Sequence, residues 1–278
     1  MSLRLLGVVA ALLLAGCGGG SGGTAGLPSG DHVHSLGVTS DGDLLLGLHG
    51  GLYRSGDGVT WELAGLQGED AMVIASVADQ PVFVAGHDVL YRSDDFGESF
   101  TPLQPPDLPG LDIHAFAQSP TDGRSVYAYV VGHGLYQSGD AGDTWEQRAG
   151  MGQLPQDLFG MAVAGGGSET LVMVGTESGI LRSEDGGRSL SRVAEVPAWA
   201  VTVEPMDPQV VWTLSAAGLM RSGDGGGTWE TASTLPEVEG QPLALAVGGE
   251  AMWVVTEEPR ALYRSLDSGD SWEQVVGS

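Results

Sequence analysis

One phrase recurs six times along the chain, and that recurrence constrains the fold more than any other feature. It reads Gly51-Leu-Tyr-Arg-Ser-Gly-Asp-Gly-Val-Thr-Trp61 at its first occurrence and Gly218-Leu-Met-Arg-Ser-Gly-Asp-Gly-Gly-Gly-Thr-Trp229 at its fifth. The serines of the phrase are Ser55, Ser93, Ser138, Ser183, Ser222 and Ser265, spaced by 38, 45, 45, 39 and 43 residues. A period near 40 residues marks a repeat architecture, in which one unit buries its apolar surface only against the next. Each unit parses into four short apolar runs separated by Gly- and Asp-rich turns. In the first, residues 34–39 read as strand A, 40–43 as a turn, 44–48 as strand B and 52–54 as strand C, while 61–63 open strand D. Runs of this length between such turns read as antiparallel strands. No segment of the repeats carries helical periodicity. Six units of four strands predict an all-β, six-bladed β-propeller of four-stranded antiparallel blades over residues 31–278.

The phrase resembles the Asp-box, Ser-x-Asp-x-Gly-x-Thr-Trp, of the BNR repeats in bacterial neuraminidases. Related repeats occur in sorting receptors of the sortilin type and in photosystem assembly factors. The copies at Ser138, Ser222 and Ser265 carry the pattern in full or with Ser for Thr. The copy at Ser55 is one residue shorter, and those at Ser93 and Ser183 end in Phe100 and Leu190. The physical content is a tight C–D turn. Ser and Asp oxygens accept from backbone N–H groups, and Gly takes up a positive φ. The terminal Trp packs beneath the turn. Asp57, Asp95, Asp140, Asp185, Asp224 and Asp267 are therefore read as structural.

The arginines argue against sialidase chemistry. Sialidases, which this chain resembles in fold, grip a carboxylate with three central arginines and use a tyrosine nucleophile assisted by a glutamate. Here Arg54, Arg92, Arg182, Arg221 and Arg264 share one position on strand C, and only Arg260 falls in a B–C loop. No triad assembles on the active face. The charge agrees: 36 carboxylates stand against 11 arginines with no lysine, a formal charge of −25. Such a surface repels phosphate backbones and anionic sugars, which disfavours nucleic acid as a partner.

The N-terminus reads as an address. Arg4 precedes a ten-residue apolar run, residues 5–14, too short to span a bilayer but right for the core of an export signal. Leu14-Ala15-Gly16-Cys17 resembles the lipobox of bacterial lipoproteins, which is cut before a cysteine that then carries lipid. Cys17 is the chain's single cysteine, which also rules out an internal disulfide. The reading is a signal peptide over residues 1–16, and a lipidated Cys17 with a flexible Gly/Ser linker over 17–30. The linker reaches roughly 20 Å over about 13 residues. The implied place is the bacterial cell surface, anchored to the outer face of the cytoplasmic membrane, or the periplasm.

Six histidines carry the strongest functional signal: His32, His34, His49, His87, His114 and His133, all in the first three repeats. His34 and His114 occupy the same repeat position, the start of strand A, where later repeats have Phe159, Trp199 and Leu243. His49, His87 and His133 fall in B–C loops, with Glu177 the counterpart in the fourth repeat. Propeller topology brings the starts of A and the B–C loops to one face, opposite the Asp-boxes. Clustered imidazoles suit Zn²⁺ or Cu²⁺. Asp31, Asp70, Asp88 and Asp112 stand nearby to ligate or to orient a ring, and Met72 offers a soft ligand for Cu(I). The other reading is that these are polar rim residues copied with the blades.

The stretches Asp31-His-Val-His-Ser-Leu-Gly-Val38 and Leu48-His-Gly-Gly-Leu-Tyr-Arg-Ser55 resemble the opening of a family of BNR-repeat bacterial lipoproteins labelled glycosyl-hydrolase-like. The resemblance makes His32, His34 and His49 a family feature and names no reaction. Three functions stand open. The chain binds a small ligand or a transition metal on its His-bearing face. Alternatively it is a glycoside hydrolase of non-sialidase type using two of Asp31, Asp70, Asp88, Asp112, Asp157 and Glu177. Or it docks another protein through Trp199 and the loop 151–159.

Overall fold

The computed structural model describes residues 23–155, 157–165, 170–235 and 237–277. The export signal, Cys17 and Gly18 to Gly22 lie outside the described residues. Six antiparallel sheets, each a contiguous stretch of chain, form the six blades of a β-propeller. The inner A strands are Val33–Val38, Val73–Ala75, Ile113–Gln118, Leu158–Ala164, Ala198–Glu204 and Gln241–Gly248. In the first blade the remaining strands are Leu44–Leu48, Gly51–Ser55 and Thr60–Gly65, within a residue or two of the sequence reading. Blade two is the most abbreviated, with a three-residue inner strand and an outer strand of two residues, Thr101–Pro102. Among the described residues no helix is long and apolar enough to cross a membrane.

The apolar core is divided among the six junctions between blades. Strand B of blade one shows why. Its five residues are all buried, and period-two alternation sends them to opposite neighbours. Leu44, Leu46 and Leu48 pack with Ala244, Ala246, Val255 and Leu262 of blade six. Leu45, with Leu52, packs against Ala71, Val82 and Val84 of blade two. The same division recurs at the junction of blades two and three, around Phe83, Phe116 and Trp145. A run with no polar residue at all is thus what a strand sandwiched between two sheets requires.

The leucines of blade one also close the ring. Blade six completes itself with Glu273–Gly277 as its outermost strand, so among the described residues no strand is traded across the seam. Thr24–Ala25, inside the stretch expected to be a flexible linker, adds a fifth strand to blade one by pairing antiparallel with Thr60 and Trp61. The unpaired outer edge of a blade offers a row of free N–H and C=O groups, and an extended neighbour satisfies them. Arg260 finishes the seam by donating from Nη1 to Pro28 O at 2.6 Å and from Nη2 to Asp31 O at 2.5 Å.

The recurring Ser-x-Asp turns lie between strands C and D. In the fifth, Gly226 N donates to Ser222 Oγ at 2.8 Å, and Ser222 Oγ donates to Asp224 Oδ1 at 2.8 Å. Thr228 donates to Asp224 twice, from its backbone N–H and its hydroxyl, each at 2.8 Å. Trp229 Nε1 closes the unit on Gly226 O at 3.1 Å. The other blades repeat the Ser and Asp contacts, the shorter first copy through Gly58 and Thr60. The Trp contact recurs at Trp61, Trp145 and Trp272 and is replaced by Phe100 and Leu190 in blades two and four. Hydrogen bonds from Ser99, Ser189 and Thr228 hold Asp95, Asp185 and Asp224 down to about 2.

Two predictions follow the packing and the turns. Leu46→Ala, which opens a cavity at the closing seam, should cost roughly 2–5 kcal/mol in urea denaturation. The lowered aspartate pKa values stabilise the fold above the unfolded-state value near 4, and that stability drains away as pH falls towards 2. Melting followed by circular dichroism should therefore fall steadily between about pH 5 and pH 2, and Asp224→Asn should flatten that dependence.

Candidate metal centre

Three recurring structural positions build the upper face. The first is a β-bulge at the start of strand A. In five blades the pairing with strand B skips one residue: His34, His114, Phe159, Trp199 or Leu243. A bulge turns its extra residue out of the ladder and re-aims the side chain. In blade two the inner strand starts late, and Met72 stands just before it. His34, Met72, Phe159, Trp199 and Leu243 line the mouth of a central channel of about 180 Å³. The second position is the B–C loop, which carries His49 and His87. The third lies two residues before the first position, on the segment leading into strand A. His32, Asp70, Asp112 and Asp157 occupy it.

Neighbouring blades bring these positions together. His34 Nε2 lies 3.5 Å and His49 Nδ1 3.1 Å from Asp70 Oδ1. At the next junction His114 Nε2 lies 3.2 Å and His87 Nε2 3.6 Å from Asp112 Oδ1, and the two Nε2 atoms are 3.1 Å apart. The ligand atoms of each trio lie within 4.8 Å of one another. A tetrahedral zinc ion with bonds of about 2.0–2.1 Å separates its ligand atoms by about 3.3 Å. The donor spacing therefore fits. His34 Nε2, Asp70 Oδ1 and Asp112 Oδ1 are moreover buried without a hydrogen-bond partner among the described residues. Buried polar atoms in that condition are costly unless something else satisfies them.

Asp70 is the most enclosed of the two carboxylates, with its side chain 13% exposed against 46% for Asp112. Two glycines explain its placement. A Cβ on Gly47 would come within 2.2 Å of Ala71 O, and one on Gly86 within 1.9 Å of Asp70 O. The Asp70–Ala71 backbone is thus clamped between the B strands of blades one and two. Ala71 N donates to Leu48 O at 3.1 Å across the same junction. Burial pushes the His34 pKa below its ordinary value against the pull of Asp70, and the neighbouring His49, His32 and His87 add to the lowering. The lowering favours the neutral ring, the form that coordinates a metal.

Four of the six histidines thus meet in two trios, and two stand apart. His32 is largely exposed and pairs with Glu257 of blade six, Nδ1 to Oε2 at 3.3 Å. It repeats the junction pattern with the roles exchanged, the carboxylate on the loop and the imidazole on the connection. His133 is exposed, and Gln147 donates to its backbone carbonyl at 2.9 Å. Its counterpart across the junction, Asp157, accepts instead from the Glu177 backbone N–H at 3.0 Å. Asp31 and Asp88 lie exposed outside the trios. The strand-C arginines are engaged away from this face: Arg54 with Asp43, Arg92 with Asp143, Arg182 with Glu184, Arg221 with Glu230 and Arg264 with Glu273. On the upper face, Arg260 clasps residues 28–31 and Glu257, and Arg192 bonds Ser178. The carboxylate partners were the part the sequence left unranked. Repeat alignment signals them, because Asp70 and Asp112 share a register.

Similar solved structures carry the same fold at low identity. A GH74 xyloglucanase from Xanthomonas campestris superposes with a TM-score of 0.59 at 19% identity, over 91% of this chain and 46% of that one. YCF48 bound to D1 peptide matches with a TM-score of 0.56 at 17% identity, over 90% of this chain and 83% of that one. The extracellular domain of a putative one-component system from B. thetaiotaomicron matches with a TM-score of 0.59 at 12% identity, over 91% and 35%. The chain thus spans about half of the xyloglucanase and about a third of the B. thetaiotaomicron protein. No family model and no curated protein matches.

The clamp on Asp70 is testable. Gly86→Ala should lose roughly 1–3 kcal/mol of stability in chemical denaturation, because the new methyl displaces the Asp70 carbonyl. Gly139→Ala, where an added Cβ meets nothing within 4 Å, should leave the midpoint unchanged.

Proposed function

We propose that this chain is an extracytoplasmic, lipid-anchored propeller of the Asp-box type whose upper face binds a transition metal ion, zinc or copper. One observation carries the reading. Three buried donor atoms, His34 Nε2, Asp70 Oδ1 and Asp112 Oδ1, converge with three further imidazoles and lack hydrogen-bond partners among the described residues. Nitrogen and carboxylate donors suit Zn²⁺ and Cu²⁺, and three protein ligands leave a coordination position open. The lipobox-like Leu14-Ala15-Gly16-Cys17 supports lipid anchoring at Cys17, and the export signal before it supports a place outside the cytoplasm. The regular Ser-x-Asp turns support membership of the Asp-box lineage.

Docking of a protein segment is the second reading, and one feature favours it. Phe159 is 48% exposed at the channel mouth, on the side away from the histidines, and shares that rim with Trp199 and Leu243. An exposed aromatic side chain in such a position suits an apolar peptide anchor, and one structural neighbour holds a peptide. Glycan hydrolysis, the activity that the xyloglucanase neighbour's name carries, draws less support from the side chains. Asp70 Oδ2 is taken up by His87 Nδ1 and Asp157 by a backbone N–H.

Calorimetric titration of the chain from Gly18 onward with Zn²⁺ and Cu²⁺ tests the metal reading. That chain contains every described residue. The expected result is sub-micromolar binding that a His34→Ala, His114→Ala double variant loses. Absence of binding in the unaltered chain would return the histidines to a polar rim and leave the docking reading in front.

A further inference from the structure

Resting on the metal reading above, we infer that this face holds two ions rather than one, and that Asp70 serves both. The two trios are separate sets: His34, His49 and Asp70 at the junction of blades one and two, His87, His114 and Asp112 at the junction of blades two and three. Each supplies two imidazole nitrogens and one carboxylate oxygen, so each satisfies one ion to the same degree. No donor is shared between them.

Asp70 nevertheless touches both. Its Oδ1 faces His34 and His49, while its Oδ2 lies 2.6 Å from His87 Nδ1. An ionised carboxylate only accepts, so the proton of that short contact sits on His87 Nδ1. His87 Nε2 is then left with its lone pair, aimed at the space between His114 Nε2 and Asp112 Oδ1. Asp70 therefore acts as a ligand at the first site. At the second it is the outer partner that fixes the tautomer and orientation of a ligating histidine, an arrangement common around protein-bound zinc. The glycine clamp on its backbone fixes both roles at once. Loss of an outer partner of this kind weakens metal affinity roughly 10–100-fold.

Native mass spectrometry and zinc calorimetry on the metal-free chain from Gly18 onward decide the matter, with thermal melting to confirm that each variant folds. The unaltered chain should take up two zinc equivalents. Asp112→Ala and His49→Ala should each leave one. Asp70→Asn keeps a carbonyl acceptor for His87 Nδ1 but removes the anionic ligand, so it should abolish the first site and spare the second. Asp70→Ala should abolish the first and weaken the second by roughly 10–100-fold. A single equivalent, lost alike in Asp112→Ala and His49→Ala, would mean one shared ion; it would overturn this inference and leave the metal reading standing. Two equivalents with undiminished second-site affinity in Asp70→Ala would remove the dual role of Asp70. No uptake at all would sink both readings.

Discussion

Among the described residues, no blade of this protein has a core of its own. Each buries its strands only by pressing them against the two neighbouring blades, and the alternation along Leu44–Leu48 shows how one strand serves two interfaces. Stability therefore belongs to the ring. The seam between blades six and one is the place where it has to be completed without a shared strand. Leucine packing there, reinforced by Arg260, does what strand exchange would otherwise do.

The same interdependence builds the candidate site. A B–C loop from one blade and the incoming connection of the next meet over each junction, so any polar pair placed at those positions is created by blade packing alone. His49 with Asp70, His87 with Asp112, and Glu257 with His32 are three instances of one contact. At the junction of blades three and four the contact is replaced by Asp157 on the Glu177 backbone, and His133 is left outside. The run of imidazole–carboxylate contacts ends there. Phe159, Trp199 and Leu243, at the bulge positions of later blades, make the other half of the channel mouth apolar. One repeated scaffold position thus yields two chemistries according to the residue that fills it.

The fold was legible because the phrase around each repeat serine is a local device whose bonds close within a few residues. Strand B of blade one was read to the residue, since its ends are set by the turns at Asp43 and Gly50. The equivalence of His34 and His114 was equally visible, as it needs only the repeats laid over one another. What the spacing did not carry was the contact across a junction. Asp70 is distant in sequence from His34 and His49, and its exact seat depends on two glycines in different blades. His133 shares a loop position with His49 and His87, yet position alone does not supply a partner. The short strand Thr24–Ala25 lies in a Gly-rich stretch whose composition reads as linker, and only the free outer edge of blade one gives it structure.

That outer strand has a mechanical consequence. The chain joins the disc at the rim of blade one, not through either flat face, and its two ladder positions face Trp61 and Thr60. A pull transmitted from upstream of Gly23 would act on the rim and load this edge strand before anything else. The load next meets Leu27, packed in the closing seam, and the Arg260 clasp on Pro28 and Asp31. The short strand, held by two ladder pairings, thus stands ahead of the seam in the path of such a load.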